Sequence, residues 1–194
     1  MQMITPTSEL EAVNTLLRAI SESPVSSLSG DVGVDVVTAR ATLAEINKAV
    51  QTEGWLFNTE DDYPLPRDRD GYVHAPLNAL SVAVPKNRGS SIDPVLRGQR
   101  LYDRKNHTYE FAHDLAATII FGLPFEELPE SARHYVTYRA ARKFQDNNIG
   151  TDAMHRFSER DELTARFRFT DEQAADEDLN FLRDSPDMAG LVAL

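Results

Sequence analysis

The stretch Val36-Val37-Thr38-Ala39-Arg40-Ala41-Thr42-Leu43-Ala44-Glu45-Ile46-Asn47-Lys48-Ala49-Val50-Gln51-Thr52-Glu53-Gly54-Trp55-Leu56-Phe57-Asn58-Thr59 decides the fold, because its hydrophobic period changes part-way along. Val36, Ala39, Leu43, Ile46 and Val50 recur at steps of three and four, which puts all five on one face of a helix. Gly54 stands where a helix C-terminus commonly takes a positive φ. From Trp55 the period drops to two, so strands follow the helix.

Upstream, Ser8-Glu9-Leu10-Glu11 has the capping-box form, a hydroxyl for an orphan amide with a carboxylate three residues on. Leu10, Val13, Leu17 and Ile20 then form one apolar stripe, and residues 21–35, with Pro24, Gly30 and Gly33, read as a loop. Downstream, residues 55–59, 72–74, 80–84, 100–102, 108–111 and 117–121 predict short antiparallel strands. Asp70-Gly71 and Asn106-His107 are the expected turns, and the polar stretch 85–98 is expected to be an exposed loop.

Helical spacing returns at Ala132, Tyr135, Val136, Ala140 and Phe144, behind Pro129 and ahead of Asn147-Asn148 and Gly150. A further helix is predicted from about Asp152 through Met154, Phe157, Leu163 and Phe167. Thr170-Asp171-Glu172-Gln173 repeats the capping-box form and predicts a separate last helix with Ala175, Leu179 and Leu182 on one side, stopped by Ser185-Pro186. The predicted class is α+β: a helical bundle formed from both ends of the chain with an inserted antiparallel β portion. Its expected parts are an N-terminal helical hairpin (1–54), the β portion (55–121), helices completing the bundle (122–169) and an acidic helical tail or arm (170–194).

Thirty-one acids and twenty bases in 194 residues give a net charge of −11. The ends carry the excess: residues 1–62 are net −7, residues 63–169 net +2 and residues 170–194 net −6. That balance opposes a protein built to grip nucleic-acid phosphates, which takes clustered Lys and Arg. With no cysteine, disulfides, thiolate nucleophiles and Cys-based zinc sites are excluded. No stretch approaches the roughly 18–20 apolar residues of a membrane span, and residues 1–9 lack a basic flank before an apolar run. The expectation is a protein neither exported by a signal peptide nor embedded in a membrane.

Motifs for chemistry are sparse. Asp68-Arg69-Asp70-Gly71 hints at a calcium loop, but aligning Gly71 with the obligatory glycine puts Pro66 at the first ligand position and Leu77 at the twelfth, where Glu is needed. A hairpin turn is the expectation instead. His74, His107, His113, His134 and His155 form no HExxH and no i,i+4 pair, and neither a GxSxG elbow nor a Walker loop occurs. Asp61-Asp62 and Glu126-Glu127 are the adjacent carboxylates from which a glycoside-cleaving pair could be drawn. Solvated turns and helix starts are the expected places for them. Arg88, Arg97, Arg100, Arg104 and Lys105, with Tyr102 among them, make the basic cluster, of the Arg/aromatic composition that holds single strands in some proteins and subunit contacts in others.

Five blocks resemble the tail tubular protein A family of short-tailed bacteriophages. They are residues 9–20 followed by Ser23-Pro24-Val25, then Glu53-Gly54-Trp55-Leu56-Phe57-Asn58-Thr59-Glu60, then Leu101-Tyr102-Asp103-Arg104 with Asn106-His107-Thr108. Next comes Leu123-Pro124-Phe125-Glu126-Glu127-Leu128-Pro129 leading into residues 138–146, and last Phe157-Ser158-Glu159-Arg160-Asp161-Glu162-Leu163. They lie in family order over about residues 9–165, and nothing beyond about residue 170 matches. The resemblance implies a head-to-tail adaptor: a ring of twelve subunits joining the portal above to the tail nozzle, tail tubular protein B, below, with tail fibres near that junction and double-stranded DNA passing through without specific binding. It brings no cofactor, no metal and no catalytic residue. The rivals are a tail-associated glycan-cleaving hydrolase using a carboxylate pair and a non-specific DNA-binding protein. Residues 170–194 either pack on their own subunit with their acids solvated or, as the adaptor reading favours, form an arm ordered on a neighbouring subunit or the portal.

Overall fold

The computed structural model describes residues 5–85, 91–148 and 152–184, with side chains described throughout except at 152–158 and 177–184. The element order is α1 (Glu9–Ala19), α2 (Val34–Thr52), β1 (Thr59–Leu65), β2 (Ala79–Ala83), β3 (Pro94–Arg97), β4 (Arg100–Asp103), β5 (Leu115–Phe121), α3 (Glu130–Asn148) and α4 (Asp152–Asp184). Short 3-10 turns at Leu56–Asn58 and Phe125–Glu127 precede β1 and α3. Helices at both ends with strands inserted between them are the α+β arrangement expected from the sequence.

The chain divides into two compact units, one made of 1–50 with 124–194 and the other of 51–123. In the helical unit, α1 opens on the capping box at Ser8: its amide donates to Glu11 Oε2 at 2.8 Å and its hydroxyl accepts from the Glu11 amide at 3.3 Å. The reciprocal bonds satisfy two orphan amides of the first turn. Helix α2 buries Val36, Ala39, Leu43, Ile46 and Val50, the five stripe residues of its sequence. Helix α3 buries Ala132, Tyr135, Val136, Ala140 and Phe144. The two chain ends are tied by polar bonds as well. Thr7 donates through its amide and hydroxyl to the Glu130 carboxylate at 2.8 and 2.6 Å, Arg133 reaches the Thr7 carbonyl at 2.8 Å, and Gln145 reaches that of Ala19 at 3.0 Å.

Helix α4 differs from expectation in two ways. It is continuous through Thr170, so the sequence Thr170-Asp171-Glu172-Gln173 caps nothing; the Thr170 hydroxyl instead donates back to the Arg166 carbonyl at 3.0 Å. A capping hydroxyl needs a free amide, and an uninterrupted helix supplies none. The buried stripe also runs through Glu162, Ala165, Phe169 and Gln173, leaving Leu163 61% and Phe167 69% exposed. Phe169 stacks on Tyr135 of α3 at 5.8 Å and 22°, and Arg142 Nε meets Glu162 Oε2 at 2.7 Å. These two contacts fix which face of α4 meets α3. Ala175, expected on the apolar side, is exposed, while the Leu179 and Leu182 side chains and the Ser185-Pro186 stop lie outside the described residues.

The β unit holds an antiparallel sheet of order β1-β5-β2 and a separate β3-β4 hairpin. Leu65, Val73, Leu101, Phe111, Ala117, Ile119 and Phe121 form its core. Where the chain enters and leaves, the Gln51 side chain and the Leu123 backbone exchange two bonds: Gln51 Nε2 donates to the Leu123 carbonyl at 2.9 Å and the Leu123 amide donates to Gln51 Oε1 at 2.7 Å. Asn58 adds bonds to the carbonyls of Gln51 (2.9 Å) and Phe121 (2.8 Å).

That clasp explains the first misplaced strand. Leu56–Asn58 form a 3-10 turn, because Asn58 Oδ1 accepts the Trp55 amide at 2.9 Å and winds the segment tightly. The strand starts later, as β1, whose Glu60, Asp61 and Pro64 are unlike a buried strand. An edge position with a bulge between Glu60 and Tyr63, where Asp62 takes φ +52, accommodates them. Residues 72–74 and 108–111 are not strands but carry single bridges such as Arg67–Val73 and Tyr72–Glu110. β3 lies inside the stretch expected to be a loop. Both expected turns are present: Gly71 has φ +83 with its amide bonded to the Asp68 carbonyl, and His107 has φ +56 between the paired Asp103 and Thr108.

Candidate functional site

The β3-β4 hairpin concentrates the exposed cations of the β unit. A two-residue turn, Gly98-Gln99, pairs Arg97 opposite Arg100 and Val95 opposite Tyr102, with Gly98 at φ +64. Leu101 is wholly buried, so strand alternation sends Arg100 and Tyr102 to the outer face. There Arg97 Cζ lies 3.7 Å from the centroid of the Tyr102 ring. Arg100 Cζ lies 4.9 Å from Tyr109 and 5.4 Å from Tyr72. Tyr102 and Tyr109 meet edge-on at 4.8 Å. Among the described residues neither Arg97 nor Arg100 has a carboxylate partner, whereas Arg104 is held by Asp93 at 2.7 Å. Like charges directly opposite on paired strands repel, so the hairpin carries two cations whose charge the unit itself leaves unanswered. Of the basic cluster, Arg97, Arg100 and Tyr102 therefore share one face, Arg104 is paired, and Arg88 lies outside the described residues.

Beneath this face Asp103 sets the loop that closes β4. Its Oδ1 accepts the amides of Asp93 (2.9 Å), Lys105 (2.9 Å) and Asn106 (3.4 Å), and its Oδ2 accepts Asn106 Nδ2 at 2.6 Å. Burial, the largest single influence, pushes this carboxyl up, but the four bonds together hold it below the ordinary carboxylate value. Asp68, from the discarded calcium motif, accepts the Asp70 and Tyr72 amides at 2.9 Å and meets His74 Nε2 at 3.1 Å. The Tyr72 amide is the main reason its carboxyl is lowered. Glu11 is lowered chiefly by the Ser8 amide. All three shifts favour the ionised form, the opposite of what a general acid requires.

The remaining candidates are dispersed. Asp61 accepts the Thr118 hydroxyl at 2.6 Å and Asp62 sits on the β1 bulge, an edge strand rather than the expected turn. Glu126 and Glu127 belong to the 3-10 turn before α3, where the Glu126 carbonyl accepts from Arg133. His134 lies 3.7 Å from Glu130 and 5.6 Å from the Tyr138 ring. The His155 side chain is outside the described residues. Among the described residues no group of three His, Asp or Glu side chains has the spacing to hold a metal ion, and no helix is long and apolar enough to cross a membrane.

Two open clefts flank α3. One of about 350 Å³ is lined by Glu11, Asn14, Arg18, His134 and Tyr138, and one of about 430 Å³ by Glu130, His134, Asp161, Arg168 and Glu172. Both mix charges of opposite sign. Apolar exposure on the helical unit falls on two helices at helical spacing: Val34 and Val37 on α2, Leu163 and Phe167 on α4. Periodicity could not separate Leu163 and Phe167 from core positions, because a Leu or Phe at helical spacing signals burial without saying against what.

The family model for tail tubular proteins matches residues 10–179. Tail tubular protein A of Klebsiella phage KP34 is 29% identical over 145 residues, covering 75% of each chain. The matched span takes in both units and nearly the whole of α4, and the chain belongs to the tail tubular protein family.

Proposed function

We propose that this chain is a structural subunit of the adaptor ring that joins the portal to the tail nozzle and forms part of the channel for genome ejection. A structural place in the virion tail follows from the family; the finer role rests on the match across residues 10–179 together with the surfaces. Two unlike apolar faces on one helical unit, Val34 with Val37 and Leu163 with Phe167, are what a head-to-tail contact uses. A head-to-tail contact repeated about an axis closes into a ring or runs on as a filament. Twelve copies, portal and nozzle as axial neighbours, fibres near the junction and assembly in the host cytoplasm complete the proposal.

In this role the chain is not an enzyme. The acidic balance suits a channel protein, since a basic lumen would hold the duplex through counterion release while an acidic one leaves it mobile. Mixing the purified chain with assembled portal tests the proposal by mass photometry. A discrete mass increment of a whole ring is expected. Capsular polysaccharide cleaved by the chain alone, with no portal binding, would favour the hydrolase instead.

A further inference from the structure

The Arg97/Arg100 face has a partner chemistry written into it. A guanidinium stacked on a tyrosine ring loses little freedom on binding and keeps its N–H edges outward, the arrangement that grips carboxylates with paired bonds. Two such groups stand opposite each other across the hairpin tip with no carboxylate of their own among the described residues. Elsewhere in the chain, α4 runs 33 residues, about 50 Å, against 19 residues, about 28 Å, for α3. Its last buried described position is Gln173, after which Ala174, Ala175 and Asp176 are exposed. From Asp171 to Asp184 it carries six acids, with Glu172, Asp176, Glu177 and Asp178 between, against Arg183 alone.

We infer that the tyrosine-backed Arg97/Arg100 face of one subunit receives the acidic end of α4, residues 171–184, from a second copy of this chain. This rests on the proposed function, in which copies stand side by side. Carboxylates arriving from the neighbour neutralise the like-charge pair at the hairpin tip and cover a cationic-aromatic face that could otherwise catch passing DNA. A nucleic acid is the other polyanion to weigh, and the net charge of −11 on the whole chain disfavours it.

The test uses the full-length chain and a fluorescein-labelled peptide of residues 169–184, read by anisotropy, with a 20-bp duplex as the second probe. The peptide is expected to bind the native chain, and the double variant R97Q/R100Q to weaken that binding at least tenfold while the thermal melt is unchanged or raised. Because the chain has no cysteine, two single variants, Gln99→Cys and Ala175→Cys, add an independent readout. On mixing and mild oxidation they should give a mixed dimer in excess of either self-dimer. Less than a twofold effect of R97Q/R100Q, no excess of mixed dimer, or tighter binding of the duplex than of the peptide by the same arginines would each overturn the inference. The contact is read in solution, so its failure beside a ring seen in the particle sinks this inference alone, while peptide binding without any ring sinks only the proposed function.

Discussion

Asp103→Ala should be among the most damaging single changes in the β unit. The side chain is 1% exposed and closes its loop with bonds from the amides of Asp93 and Lys105 at 2.9 Å and from Asn106 Nδ2 at 2.6 Å. A hydrogen bond to a charged acceptor is worth roughly 1.5–3 kcal/mol net. All the donors share one group, so their contributions overlap, and removing the carboxylate also recovers its desolvation cost; a loss of about 3–4 kcal/mol is expected. Asp103→Asn keeps one acceptor but sets an NH₂ against Asn106 Nδ2, and about 2 kcal/mol should go. Trp55 is the sole tryptophan and lies in the β unit, so urea unfolding followed by its fluorescence reports this unit. The carboxyl is lowered from its ordinary value of 3.8 in the folded state. A lowered folded value means the stabilisation is present above pH 3.8 and drains away as pH falls through the folded value. The native protein should therefore lose stability more steeply than Asp103→Asn below about pH 4. A loss under about 1 kcal/mol for Asp103→Ala, or identical acid limbs for native and Asn proteins, would refute the reasoning.

Phe169→Ala should cost roughly 3–5 kcal/mol, since the ring is fully buried against Tyr135, whereas Phe167→Ala on the exposed face should stay within about 0.5 kcal/mol in the isolated chain; helical ellipticity during a thermal melt compares the two. Gly54→Ala should be destabilising by roughly 1–2 kcal/mol, because φ is +78 and the added Cβ would push Ile120 Cδ1, 2.8 Å away, aside. Trp55 fluorescence is the gauge, and an unchanged midpoint would contradict it. Single Asn or Gln replacements of Asp61, Asp62, Glu126 and Glu127 should leave tail function and any polysaccharide cleavage unaltered; a thousandfold drop in a verified hydrolytic activity for one of them would restore the enzyme rival.

The α+β class and the helix cores of α2 and α3 were legible because burial there follows one repeating step, and every stripe residue from Val36 to Val50 went inside. Strand limits were less so. β1 reads as polar because only an edge tolerates Glu60, Asp61 and Pro64, and edge status depends on which strand pairs with β5, a non-local fact. The Thr170 motif misled for the opposite reason: a cap is defined by a free helix end, and packing of Phe169 and Gln173 holds the helix through that point. The basic cluster was visible as composition, but which cations lack a partner depends on Asp93 reaching Arg104 across the hairpin.

The most direct measurement is a cryo-EM reconstruction of the intact tail at side-chain resolution. The account predicts a closed ring of this chain, twelve copies, between portal and nozzle around an open channel. A particle with this chain outside the portal–nozzle junction, or present there as isolated copies without a closed ring, would contradict it.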